Sequence, residues 1–113
     1  EKLVFNAKIR GEQLKKGLNE LKNKSKIIGD VRGVGLLQGL EFVKDKKSKE
    51  SFPLEAKLGK KITEGLKKRG VWIKVSDYIL PIAPPLIISS SEISDFLLIL
   101  EETLKEVEKE VLL

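Results

Sequence analysis

The sequence predicts an α+β fold, a small and mostly antiparallel sheet with helices packed on it. Three observations predict it. Amphipathic helical segments stand at both ends and in the middle of the 113 residues, extended apolar runs lie between them, and the last two runs are joined by a tight Ser76-Asp77 turn. The order is therefore helix, strand, helix, strand, strand, helix, which departs from the strict alternation of parallel α/β sheets.

Lys2 to about Lys22 reads as the first helix. Val4, Ala7, Leu14, Leu18 and Leu21 recur at three- and four-residue steps or their multiples, with Lys and Glu opposite. Gly11 falls on that stripe, where glycine costs about 1 kcal/mol against alanine, so another element is expected to come close there. Asn23, Lys24 and Ser25 end the helix. Val31 to Val43 reads as one strand, apolar on most of both faces and so central and covered at least partly on each side. Lys44 to Ser51 is a polar hairpin-like or Ω-like connection.

Pro53 opens a second helix, as proline does at the first helical position. Leu54, Leu58, Ile62 and Leu66 lie four apart on it. Lys67, Lys68 and Arg69 complement its negative end, and Gly70 supplies a left-handed stop. Val71, Ile73 and Val75 alternate as one face of a strand, and Tyr78 to Ala83 returns as another. Pro81 lacks a ladder donor and places that strand at an edge or makes it irregular. Pro84-Pro85 stops it. Ser89-Ser90-Ser91-Glu92 is a capping box, and the last helix carries Ile93, Phe96, Leu97, Leu100, Leu104, Val107 and Val111, with Glu101 and Lys105 as an i,i+4 pair.

At 41% apolar and 35% charged, residues 1–113 have the composition of one ordered, soluble domain. Without cysteine there is no disulfide framework and no thiolate metal site, which fits the cytoplasm. Without histidine the commonest general base and the commonest zinc ligand are missing, and no metal site is expected. Methionine is absent too, so the chain is expected to be a piece of something longer. No run of 18 apolar residues predicts a membrane span. The net charge of +5 rests almost wholly on lysines interspersed with 17 acids. Arg10, Arg32 and Arg69 are the only arginines and no basic block or aromatic platform forms, so the reading is a solvated lysine surface and not a nucleic-acid interface.

Few residues invite chemistry. Gly33, Gly35 and Gly39 are spaced somewhat like a dinucleotide loop, but a strand follows them where a helix N-terminus would have to meet phosphate. They read as structural. Asp30 and Arg32 share a face and read as an ion pair, with a substrate-binding arginine as the sharper alternative. Lys74 stands just before a turn, next to Trp72 and near Tyr78. It reads either as a solvent-facing lysine or as a cation offered to a carboxylate beside an aromatic wall. No lysine has the phosphate cradle and acid partner that a Schiff-base nucleophile requires.

The run Ile28-Gly29-Asp30-Val31-Arg32-Gly33-Val34-Gly35-Leu36-Leu37-Gln38-Gly39-Leu40-Glu41-Phe42-Val43, followed by Ala83-Pro84-Pro85-Leu86-Ile87-Ile88-Ser89 and an acid-capped helix, resembles the C-terminal small domain of class III (ω-) aminotransferases. The resemblance covers essentially the whole chain. It implies the C-terminal domain of a fold-type I enzyme that uses pyridoxal 5'-phosphate and works as a homodimer on a small-molecule substrate. The catalytic lysine, the phosphate cup and the aspartate at the pyridine nitrogen would then lie in a cofactor domain upstream of Glu1, leaving no catalytic or cofactor-binding residue here.

Lys49-Glu50-Ser51-Phe52-Pro53, Leu58-Gly59 and Gly70-Val71-Trp72-Ile73 are most similar to the branch that aminates 8-amino-7-oxononanoate in biotin biosynthesis. That branch carries a carboxylate-binding arginine at the place of Lys74, so the resemblance makes Lys74 the substrate-binding residue. Lysine keeps the charge and loses the bidentate fork. A free-standing interaction module is the competing reading from another class.

Overall fold

The computed structural model describes residues 2–112. Its elements are α1 (Lys2–Lys24), β1 (Ile28–Val34), β2 (Leu37–Phe42), a 3₁₀ turn (Leu54–Ala56), α2 (Leu58–Lys68), β3 (Ile79–Ile82) and α3 (Ser90–Val111). The three strands form one antiparallel sheet in the order β1-β2-β3. The α+β expectation holds.

The register sorts the sheet into two faces. Val31, Leu40 and Leu80 lie in one row, and Gly33, Gln38 and Ile82 in the next. Gln38, Leu40, Leu80 and Ile82 of these rows are buried. The alternate rows, Asp30-Glu41-Ile79 and Arg32-Gly39-Pro81, belong to the opposite face, where Ile79 and Pro81 are exposed. α1 lies against β1, and α3 packs with both α1 and α2. Leu14, Leu18, Ile27, Leu40, Phe42, Ile62, Leu66 and Leu100 form the centre of the core. Complete burial of each such side chain stabilises the fold by about 1.5–3 kcal/mol.

Gly11 faces the backbone of Gly35, and a Cβ there would lie 2.5 Å from the Gly35 carbonyl carbon. This is the close approach its place on the α1 stripe predicted. The stripe itself begins later than expected, since Leu14, Leu18 and Leu21 are buried whereas Val4 is 72% exposed. The α2 terminus is as expected. Gly70 has φ 89°, its N–H donates to the Lys67 carbonyl, and the Val71 N–H donates to the Leu66 carbonyl. These two bonds make a Schellman motif.

Three expectations are corrected. The single strand over 31–43 is a hairpin: Gly35, at φ 57°, turns the chain between β1 and β2. Apolar residues on both sides of the turn hid the reversal. Pro53 does not open α2. It precedes the 3₁₀ turn, and Lys57, at φ 52°, breaks the path before α2 begins at Leu58. Val71 to Val75 is not a strand, although its alternation is real: Val71, Ile73 and Val75 are turned inward, and Trp72 and Lys74 are exposed. The Pro81 strand is an edge of the three-stranded sheet, as expected.

Candidate functional site

The irregular segment 71–77 runs back along α2 and is fastened to it by side chains. The Val75 N–H donates to Thr63 Oγ1 at 3.0 Å, and the Thr63 hydroxyl donates to the Gly59 carbonyl at 2.7 Å. Asp77 Oδ1 accepts from the Gly59 N–H at 3.0 Å. Gly59 can stand there because it has no side chain: a Cβ would lie 2.6 Å from the Val75 carbonyl oxygen. Beyond Asp77, Ser76 Oγ accepts from the N–H groups of Tyr78 and Ile79 and closes the turn into β3.

Lys74 stands on the rim of a shallow basin of about 490 Å³, shared with Lys57, Lys60, Thr63, Glu64 and Asp77. Among the described residues, none of Lys57, Lys60 and Lys74 has an ion-pair partner. The basin is cationic on balance and open to water, so it can attract an anion as a set of point charges. Neither Trp72 nor Tyr78 is among the residues that line this basin. Trp72 lies under Lys67, whose Nζ is 4.7 Å from the ring centroid, an arrangement favourable by about 0.5–1 kcal/mol at an exposed place. Trp72 instead borders a separate apolar groove of about 400 Å³, lined also by Ile73, Pro81, Ile82, Pro84 and Phe96.

Asp30 and Arg32 are paired, with Arg32 Nε donating to Asp30 Oδ2 at 2.6 Å and Glu41 a further 3.7 Å contact. The Arg32 hydrogen bond holds the Asp30 carboxyl below its ordinary value. Gly33 and Gly35 shape the hairpin and Gly39 lies in β2, so none of the three leads into a helix. At the α2 start the Gly59 N–H donates to Asp77 Oδ1, and at the α3 start the Glu92 N–H donates to the Ser89 hydroxyl. A carboxylate thus stands at each start, Asp77 at Gly59 and Glu92 at Ser89, and like charge there disfavours a cofactor phosphate.

Sequence reasoning missed Thr63, Asp77, Lys57 and Lys60. Asp77 carried a signal, an acid followed by an aromatic in a turn, but its partner is 18 residues away. Thr63 lies on α2 with no mark that its hydroxyl would receive a backbone donor.

The family model for class-III aminotransferases matches residues 1–104. An uncharacterized aminotransferase of Bacillus subtilis, YodT, is 40% identical over 95% of this chain and 26% of its own length. The adenosylmethionine-8-amino-7-oxononanoate aminotransferase of Methanocaldococcus jannaschii is 34% identical over 94% of this chain and 23% of its own. A thermostable (S)-enantioselective omega-transaminase from Thermomicrobium roseum superposes with a TM-score of 0.89 at 36% identity, over 94% of this chain and 23% of that one. The chain thus spans about a quarter of the length of the relatives it matches.

Proposed function

The chain belongs to the class-III aminotransferase family, and from that premise we propose that it is the C-terminal small domain of a pyridoxal-phosphate enzyme. The cofactor, when bound, supplies the electron sink that lets an amino group pass from donor to acceptor. It would be held by residues outside 1–113, because a carboxylate already stands at each of the two helix starts described above. The chain's own part is to wall the substrate pocket and to hold the acceptor's carboxylate at Lys74. The intact enzyme would be a cytoplasmic homodimer whose cofactor domain and substrate complete that pocket.

As acceptor we propose 8-amino-7-oxononanoate. The observation that carries this is Lys74 on an open cationic basin, at the place where the branch it resembles binds a carboxylate. The likeness to the Methanocaldococcus jannaschii enzyme supports the same branch. The likeness to the Thermomicrobium roseum protein favours a second reading, an ω-transaminase with a different carboxylate-bearing acceptor.

The test is transamination by the full-length enzyme that carries this chain. Amination of 8-amino-7-oxononanoate is expected. Use of other oxo acids in its place would sustain the second reading. Lys74→Ala should raise KM for the carboxylate-bearing acceptor by at least about tenfold, the effect of losing a hydrogen bond to a charged group. Lys74→Arg should keep KM near the parent value. An unchanged KM in Lys74→Ala removes Lys74 from the site.

A further inference from the structure

We propose that Thr63 and Asp77 are positioning residues that set where Lys74 stands. The inference rests on the reading of Lys74 as the carboxylate-binding residue and goes beyond it, since neither residue is itself assigned to the substrate. A lysine offers a point charge at the end of a flexible stem and lacks the rigid fork of arginine. Its precision therefore depends on how firmly its backbone is held. Residues 71–77 have no strand partner in the sheet, so ladder hydrogen bonds do not hold it. Between the backbone bonds of Val71 to Leu66 and Ser76 to Ile79, two side-chain bonds tie it to α2, one at the residue after Lys74 and one three residues after it.

Both bonds converge on a single residue. The Gly59 N–H donates to Asp77 Oδ1, and the Gly59 carbonyl accepts from the Thr63 hydroxyl. With that hydroxyl hydrogen committed to Gly59, an oxygen lone pair is left facing the Val75 N–H. The set is closed: Gly59, Thr63, Val75 and Asp77 fix one another, and Lys74 is anchored from Val75. Removing the Thr63 hydroxyl frees the Val75 N–H and the chain next to Lys74. Removing the Asp77 carboxylate unties this end of the segment from α2 and leaves the Gly59 N–H without its acceptor, while Ser76 still closes the turn.

The experiment uses the full-length enzyme and follows KM and kcat for the carboxylate-bearing acceptor in Thr63→Val, Asp77→Ala and Lys74→Ala. Thr63→Val keeps the side-chain shape, and Asp77→Ala is the second route to the same loosening. Each should raise KM about three- to tenfold, the range set by one hydrogen bond, with kcat little changed. Thr63→Ser and Asp77→Asn, which retain the acceptor oxygen, should restore KM. In the double variant Thr63→Val/Lys74→Ala, KM should match that of Lys74→Ala alone, because Thr63 acts only through Lys74.

The outcomes separate the two ideas. If Lys74→Ala raises KM while Thr63→Val and Asp77→Ala leave it unchanged, the positioning role is overturned and the Lys74 reading stands. If Lys74→Ala has no effect, that reading fails and this inference goes with it. A parallel loss of kcat and thermal stability with KM unmoved would mark Thr63 and Asp77 as structural only.

Discussion

α2 and α3 begin in opposite ways. α3 is capped from within: the Ser89 hydroxyl accepts from the Glu92 N–H at 3.1 Å, and the Glu92 carboxylate accepts from the Ser89 N–H at 3.0 Å. α2 follows a residue with φ 52° and has no side-chain cap of its own. Its acceptor, Asp77, arrives from beyond the far end of the helix. A local cap makes a helix start independent of its surroundings. A distant cap makes the helix and the segment that supplies it one unit, and here that unit is the one carrying Lys74.

The sharpest way to break the comparison is to place the same side chain at the second residue of each helix. Gly59→Val would press a branched carbon into the backbone of Val75 and Ser76. It should destabilise the fold by about 2 kcal/mol or more, since overpacking against backbone has no rotamer to relieve it. Ser91 is exposed, and Ser91→Val should change stability by less than about 0.5 kcal/mol. Urea unfolding of the two variants measures both. Equal effects would mean that α2 does not depend on the segment packed beside it.

The same contrast governs what the sequence could reveal. Ser89-x-x-Glu92 and Lys67-Lys68-Arg69-Gly70 are complete in a few residues, and both termini stand where the sequence places them. The α2 start does not, because Pro53 carries the usual sign and Lys57 takes the unusual conformation. For residues 71–75 the inward and outward alternation is legible. The absence of a ladder is not, since the Val75 N–H is satisfied by a threonine hydroxyl that no periodicity announces. Lys74 was legible as an exposed cation. The lysines that share its basin come from Lys57 and Lys60, brought there only by the turn of the chain around α2.

A smaller effect sharpens the comparison at the caps themselves. Ser89→Ala removes the acceptor of the Glu92 N–H and should cost about 1 kcal/mol, the usual value of a lost serine cap. Lys57 makes no side-chain cap bond, so Lys57→Ala should cost less than about 0.5 kcal/mol, as surface changes usually do. Chemical unfolding compares them directly. A cost for Lys57→Ala equal to that of Ser89→Ala would show that α2 draws on local capping after all.

The smallest expected effect is the pH dependence of the α3 cap. Hydrogen bonding to the Ser89 backbone, and then to its side chain, holds the Glu92 carboxyl below its reference value of 4.5. A carboxyl with a lower pKa folded than unfolded binds its proton more readily in the unfolded chain as pH falls. Its contribution is therefore fully present above about pH 4.5 and is lost as pH drops through the lowered folded value. Glu106, held down by Lys68 and then Arg69, and Asp30, held down by Arg32, fade in the same direction. Acid destabilisation of the parent chain alone cannot isolate the cap. Glu92→Gln can, because the amide oxygen still accepts from the Ser89 N–H while the charge is gone. Measured by urea unfolding across the acid range, the stability gap between parent and Glu92→Gln should be constant near neutrality and should close below the folded pKa. A gap that persists unchanged in acid would mean that the α3 start owes its stability to hydrogen-bond geometry and nothing to the carboxylate charge.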